Sequence, residues 1–353
     1  MSRAIPAVVL GATGYVGGEL LRLLATHPVF TVRCAVSESR AGDAIGAVFP
    51  HLAPAYGKQS FVARDRAFED IEDGAPVALF SAAPHGASAK AVQSALTELG
   101  ARGCDVHIVD ASADFRFATL SGYEAVYGAG HGAPDLLPQF SSGLPEHVEG
   151  VPTPHVGNPG CFATTMLLAS VPLLRSALTD GNLFASAVTG STGSGREAQP
   201  GTHHPERHSN LYAYKPLAHR HAPEVVDLAE RASGQRANLH FVPHSGPFAR
   251  GIHLTLQARA ADGVTLDDVR AAFRSAYDDA PFVELVDGTP RLKHVVASNR
   301  AQIGVALEGG TIAVLCVIDN LVKGAAGGAV QWMNRLWGLP ETDGLLAAAP
   351  AWT

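Results

Sequence analysis

Residues 7–28, AVVLGATGYVGGELLRLLATHP, decide the fold. Residues 7–10 form a short apolar run, a glycine turn follows, and Leu20, Leu21, Leu23 and Leu24 then recur at helical spacing. This reads as strand, turn and amphipathic helix. Gly11, Gly14 and Gly17 give a GxxGxxG spacing across the turn. Glycines there allow a tight bend and let a pyrophosphate approach the helix N-terminus, where unpaired amides favour an anion. A plain strand–helix turn could carry the same glycines, but the flanking strand and helix favour dinucleotide binding. The second strand, FTVRCAVSES at 30–39, places no acid at its tip. The following residues supply Ser37, Ser39 and Arg40, and hydroxyls with a guanidinium suit a 2′-phosphate. NADP is therefore expected over NAD. Glu38 would repel that phosphate if it faced inward.

Outward from this unit, VALFSAAPHGASAKAVQSAL at 77–96 repeats the strand–turn–helix order, and DVHIVDASADFR at 105–116 adds a further strand. Strands alternating with helices imply a parallel sheet with crossover helices. The pattern changes after about residue 155. LFASAVTGSTGSG, ANLHFVPHSGPFARGIHLTLQARA and GTIAVLCVIDNLVKG are long β-like runs separated by helical segments such as TLDDVRAAFRSAYDDA. The expected fold class is α/β: a parallel-sheet, dinucleotide-binding domain plus an α+β second domain. The expected boundaries are 1–157 with about 325–353 for the first, and 158–324 for the second. GGAVQWMNRLWG at 327–338 reads as a helix with Val330, Met333, Leu336 and Trp337 on one face, returning to the first domain.

Composition narrows the class. The chain has 353 residues, 46% hydrophobic and 17% charged, as expected of a globular enzyme. A net charge of −7 without a basic block argues against nucleic acid as the main partner. Cys34, Cys104, Cys161 and Cys316 are widely spaced with no CxxC, so a disulfide framework or zinc knuckle is not expected. No signal peptide and no apolar membrane span is read, and a reducing cytoplasm is the expected location.

One cysteine stands apart. In HVGNPGCFATTMLLASVPLL at 155–174, Cys161 follows Asn158-Pro159-Gly160 at the expected start of a helix. Unpaired amides and the helix dipole there stabilise a thiolate, the nucleophilic form. A small buried hydrophobe would fit the segment equally well. Together with a nicotinamide cofactor, a thiolate suggests acyl-phosphate or aldehyde chemistry through a thioester. An acid/base is then needed, and LAHRHAPEV offers His219, His221 and Glu224. With His203, His204 and Glu206 these could form a zinc site, but no HExxH is present and such a thiolate enzyme needs no Lewis acid. No metal is expected.

The motifs GATGYVGGELLRLL, PHGASA, DASADFR, NPGCFATT, GSTGSGR, YKPLAHRHAPEV, FARGI and IDNLVKGAAGGAVQ occur in this order from about residue 6 onward, with GLPETDGL at 338–345. In them the chain resembles the N-acetyl-γ-glutamyl-phosphate reductases, of the aspartate-semialdehyde dehydrogenase-like group. The resemblance implies Cys161 as nucleophile, His219 as acid/base and Glu224 as its orienting group. It implies Arg116 on the substrate phosphate, with His221 and Arg250 as further substrate contacts. It implies a cofactor set of Gly11, Thr13, Gly14, Tyr15, Val16, Gly17, Ser37, Ser39, Arg40 and Pro84, with Asn320 on the nicotinamide carboxamide. The resemblance also implies a Rossmann-type NADP-binding domain, an α+β catalytic and dimerisation domain, a small-molecule acyl phosphate as substrate, NADPH as cofactor and a homodimer or homotetramer as the assembly. These features imply arginine biosynthesis.

One segment departs from the common pattern. REAQPGTHHPERHSNLYAYKPL at 196–217 is long, and HHPER and PDLLPQF resemble a lysine-pathway branch whose aminoadipyl substrate rides on an acidic carrier protein. A carrier reader needs a basic rim, to which Arg196, Arg207, His203, His204 and His208 could contribute. The net negative charge and the lack of another basic cluster favour the small arginine-pathway substrate. Two alternatives remain: an NADP-sensing module without chemistry, against which the full Cys161, His219, Glu224 and Arg116 set argues, and a reductase of the same group acting on aspartyl phosphate, which the HRHAPEV motif disfavours.

Overall fold

Apolar β-branched runs separated by crossovers build a parallel sheet in the first unit. The computed structural model describes residues 4–128 and 130–352. β1 (Ile5–Leu10) leads into α1 (Tyr15–Leu24) and β2 (Phe30–Val36). Two single-turn helices, α2 (Ile45–Val48) and α3 (Ala53–Tyr56), precede β3 (Pro76–Ser81), α4 (Ser88–Ala101) and β4 (Asp105–Asp110). α5 (Leu120–Tyr127), β5 (Phe140–Ser142) and β6 (His155–Gly157) complete this run. The six strands are all parallel in the order β2-β1-β3-β4-β6-β5. β1 therefore sits where the strand order reverses, and the carboxyl ends of β1 and β3 flank a crevice of the kind that takes nucleotides in open α/β sheets.

Two glycines make that crevice possible. Gly11 has φ +67°, and a Cβ on it would lie 2.6 Å from the Ala82 carbonyl oxygen. A Cβ on Gly17 would lie 2.6 Å from Ala12, so α1 packs onto its strand only because this residue lacks one.

The second unit opens on α6 (Cys161–Arg175), followed by β7 (Thr179–Thr189), the single-turn α7 (His204–Arg207), β8 (Tyr212–Ala213) and α8 (His221–Ser233). β9 (Asn238–Ser245), β10 (Ile252–Ala260), α9 (Leu266–Tyr277), β11 (Val283–Leu285), β12 (Ala301–Glu308) and β13 (Thr311–Ile318) follow. The seven strands run in the order β11-β12-β13-β10-β7-β9-β8. β7 and β9 are parallel, as are β11 and β12, and the other neighbours are antiparallel. α6 is buried all round: every residue from 162 to 174 is buried. It packs with Leu183, Ala187, Leu254, Val314 and Phe273 in one core.

α10 (Gly327–Leu336) belongs to the first unit. It was expected to show a single apolar face. Instead Gly327 through Asn334 are buried throughout, because His27 and Glu341 supply hydrogen bonds to the polar Asn334 and Gln331. The division differs from the expected boundaries in two segments. Gly143–Val148 and the tail from Ala347 cluster with the second unit rather than the first. Among the described residues no helix is long and apolar enough to cross a membrane.

Candidate active site

In the first unit the glycine turn delivers Gly14 as N-cap of α1 without any side-chain cap, so the helix amides there remain for a ligand. Ser37, at the tip of β2, is buried and its hydroxyl lies 3.1 Å from Thr13 Oγ1. Ser39 and Arg40 are exposed, and Arg40 makes only a loose 3.4 Å ion pair with Asp43. Glu38 does not oppose a phosphate here: its Oε1 accepts from the Arg64 amide at 3.0 Å. These groups fit the adenosine side of an NADP-type dinucleotide.

The acids of DASADFR, given no role from sequence, brace the PHGASA loop. Asp114 accepts from the Gly86 and Ala89 amides at 2.7 and 2.9 Å, close to Pro84. Asp110 accepts from Ser88 and Ser112, each at 2.6 Å, and burial raises its pKa to about 6. Arg116 is buried, and its Nε and Nη2 donate to the carbonyls of Asn158 and Ala111 at 3.0 and 3.2 Å.

The second unit gathers the remaining predicted residues. Cys161 is the first residue of α6, and Gly160 is its N-cap. The Gly160 amide donates to Glu224 Oε1 at 2.7 Å. Glu224 was expected to orient the histidine. This contact has it fixing the turn that carries Cys161, across 64 residues of sequence.

His219 is buried, its ring edge-on to Phe162 and Phe241 with centroids 5.5 Å away in each case. The His221 amide donates to His219 Nδ1 at 3.2 Å, which places the ring hydrogen on Nε2. Burial, with help from Arg220 and Lys215, lowers the His219 pKa to about 4. At neutral pH this ring is therefore a neutral Nε2–H donor. The His221 ring lies 4.8 Å from it, and the Tyr214 ring 5.7 Å. Burial raises the Tyr214 phenol pKa, and the Cys161 charge adds to the effect.

Burial also lowers His155 to about 4. For both histidines the unfolded chain takes up a proton near 6.5 while the folded chain resists until about 4. The unfolded state thus binds more protons between these values, and stability falls as pH drops through that window. The melting temperature is expected to be lower at pH 5 than at pH 7.5, and His155→Gln should flatten the dependence if it folds normally.

Opposite Cys161 lies the turn after β13. A Cβ on Gly324 would come within 2.7 Å of the Cys161 Cβ. The turn is built on Asp319, which sequence reasoning missed. Asp319 is fully buried. It accepts from the amides of Leu321, Val322 and Ala297, and from Arg250 Nε and Nη2 at 3.0 and 3.2 Å. Arg250, expected on substrate, has its fork on this carboxylate. Asn320 Oδ1 accepts from the Gly251 amide at 2.7 Å, and its Nδ2 donates to Thr192 Oγ1 at 3.1 Å. Behind them Lys323 and Glu146 form a buried ion pair at 2.5 Å.

The long segment holds a correction. Arg196, His203, His204 and His208 are exposed, but Arg207 is buried. A buried arginine cannot serve as a rim charge for an acidic carrier. Its Nη1 is tied to the Asn210 and Ser245 carbonyls. No group of three or more His, Cys, Asp or Glu among the described residues is placed to hold a metal ion.

Comparison with known proteins fits this arrangement. Residues 6–147 match the model for the semialdehyde dehydrogenase NAD binding domain, and 161–320 the semialdehyde dehydrogenase dimerisation domain. An N-acetyl-γ-glutamyl-phosphate reductase of Ectopseudomonas mendocina (strain ymp) is 40% identical over 348 residues, 97% of this chain and 98% of that protein. One from Rhodopirellula baltica is 36% identical over 98% of this chain and 99% of that one. Among solved structures, aspartate semialdehyde dehydrogenase II from Vibrio cholerae, complexed with ASA, shares the fold with TM-score 0.68 at 15% identity, covering 96% of this chain and 99% of that one. The chain belongs to the N-acetyl-γ-glutamyl-phosphate reductase family, within the semialdehyde dehydrogenases.

Proposed function

We propose that this protein is an NADP-dependent reductase that converts N-acetyl-γ-glutamyl phosphate to N-acetyl-glutamate 5-semialdehyde, a step of arginine biosynthesis. The observation that carries the reading is the cluster in the second unit. Cys161 opens α6, Glu224 holds the amide before it, and a neutral His219 donor stands against Phe162. The thiolate attacks the acyl carbon, the C–O bond to phosphate breaks, and a thioester forms. Bound NADPH supplies the hydride that reduces the acyl carbon. His219 Nε2–H gives its proton to the carbonyl oxygen as negative charge grows there, and recovers it when the C–S bond breaks to release aldehyde and thiolate.

Arg116 is the phosphate contact, with its guanidinium held in place by the two carbonyls it binds. Arg250 acts through Asp319 as a positioning residue, and His221 acts on His219 through its amide. Asn320, fixed by Gly251 and Thr192, keeps a second Nδ2 hydrogen for the nicotinamide carboxamide. Gly11, Thr13, Gly14, Tyr15, Val16, Gly17, Ser37, Ser39, Arg40 and Pro84 form the cofactor site. A homo-oligomer is supported by the sheet face turned away from α6, where Phe184 is 54% exposed and stacks on His240. The cytoplasm is the proposed location.

The deciding assay is the reverse reaction, with N-acetyl-glutamate semialdehyde, phosphate and NADP beside the aminoadipate homologue. Absent turnover of the first by the purified protein would remove the reading. Arg40→Ala is expected to weaken NADP about tenfold or more and NAD little, since a charge-assisted contact contributes about 1.5–3 kcal/mol. Equal loss for both cofactors, measured by fluorescence titration, would show that Arg40 does not read the 2′-phosphate.

A further inference from the structure

The guanidinium of Arg207 is divided between two tasks. Nη1 donates to the Asn210 carbonyl at 3.0 Å and the Ser245 carbonyl at 3.4 Å, which uses both its hydrogens. Nε and Nη2 are buried and have no hydrogen-bond partner among the described residues. They are the two nitrogens whose N–H bonds run parallel on one edge, the side-on fork that binds a carboxylate with two hydrogen bonds. Other arginines of this chain use the same pair in that way. Arg250 places Nε and Nη2 on Asp319, and Arg22 and Arg66 place theirs on Glu19 and Glu69. Arg116 spends its pair on backbone carbonyls. Only the Arg207 fork, of these, is held in place yet left open. Buried donors without acceptors are rare because their desolvation goes uncompensated.

The fork belongs to the catalytic end of the second unit. Ser245 closes β9 and is registered against Thr189, which closes the parallel neighbour β7. The turn after Thr189 presents Thr192 to Asn320, on the same turn as Gly324 against Cys161. Tyr212, whose ring lies 5.8 Å from the guanidinium carbon, pairs with Ser245, and Tyr214 two residues on meets His219.

We propose that Arg207 is the specificity residue for the non-reacting end of the substrate, binding the α-carboxylate of an N-acyl amino acid as segment 196–217 shifts to admit it. The proposal rests on the reductase reading. A carboxylate is preferred to phosphate because the substrate phosphate must leave from the carbon beside Cys161, whereas the α-carboxylate lies at the far end of the chain and matches a planar, two-donor fork.

The test compares two aldehydes in the reverse reaction with phosphate and NADP: N-acetyl-glutamate semialdehyde, and 4-acetamidobutanal, which is the same chain without the carboxylate. Arg207→Met should reduce the wild-type preference for the first, as a ratio of kcat/KM, by about 100-fold. Arg207→Lys, which keeps the charge but not the fork, should reduce it about tenfold and carries the test if the methionine variant fails to fold. N-acetylnorvaline, which keeps the carboxylate and carries a methyl group in place of the reacting aldehyde, should bind wild type in calorimetry and not Arg207→Met. If wild type turns over neither aldehyde but binds N-acetylnorvaline through Arg207, the reductase reading fails and the fork stands. Unchanged preference in both variants overturns the proposal. So does loss of oligomer by light scattering with the preference intact, which would assign the fork to a carboxylate of a second copy.

Discussion

Cys161→Ser is expected to lower kcat by about 1,000-fold or more while NADP binding stays near wild type. A helix start that favours a thiolate cannot ionise a serine hydroxyl appreciably at neutral pH, and an oxygen ester would be a poorer intermediate than a thioester. The geometry supports a clean substitution. Cys161 is only partly buried, its carbonyl accepts from Thr165 Oγ1, and Gly160 is fixed by Glu224, none of which requires sulfur. Steady-state rates and cofactor titration on the same preparation check both halves. Residual turnover above about a tenth of wild type would remove Cys161 from the nucleophile role.

Gly324→Ala is expected to cost about 100-fold in kcat/KM by displacing Cys161. Its added methyl would sit 2.7 Å from the Cys161 Cβ and 3.0 Å from its Cα. Neither side can yield cheaply. α6 is buried along its length, and the facing turn is pinned by Asp319 through three amides and Arg250. A displacement of the thiol by several tenths of an ångström is the outcome, and it should also change the alkylation rate of Cys161 by iodoacetamide. Gly100→Ala is the control. It lies in α4 with nothing within 4 Å of a built Cβ, and should leave activity alone while stabilising by about 0.5–1 kcal/mol. Equal activity of the two alanine variants would show that the contact between this turn and the nucleophile does not matter.

The strand–turn–helix of the first unit was legible because its signal is local: apolar period, glycine spacing and helix start all fall within residues 7–28. The place of Cys161 at the start of α6 was legible for the same reason. Asp319 was not, because what makes it central is backbone amides from residues 297, 321 and 322 and a guanidinium at 250. Backbone donors have no sequence signature. The bond from Glu224 to Gly160 is hidden likewise by distance along the chain. Arg207 was misread as a rim charge for a different reason. A polar, proline-containing segment usually leaves its charges in water, and only folding back onto Ser245 and Tyr212 buries this one. The expected boundary near 157 missed Gly143–Val148 because no change of composition marks a segment that joins the other unit through Lys323 and Glu146.

The mounting of the nucleophile on α6 has a consequence for how such an enzyme could change its diet. Cys161, the proposed nucleophile, sits at the head of a rod enclosed by core on every side, against a turn braced by Asp319. Segment 196–217, by contrast, is largely exposed and carries only short elements. Insertions and replacements in it leave the rod and the brace untouched. On the proposed roles, the part that makes and breaks bonds and the part that measures the substrate can therefore be inherited separately, and a shift between acyl chains of different length needs a new cover rather than a new engine.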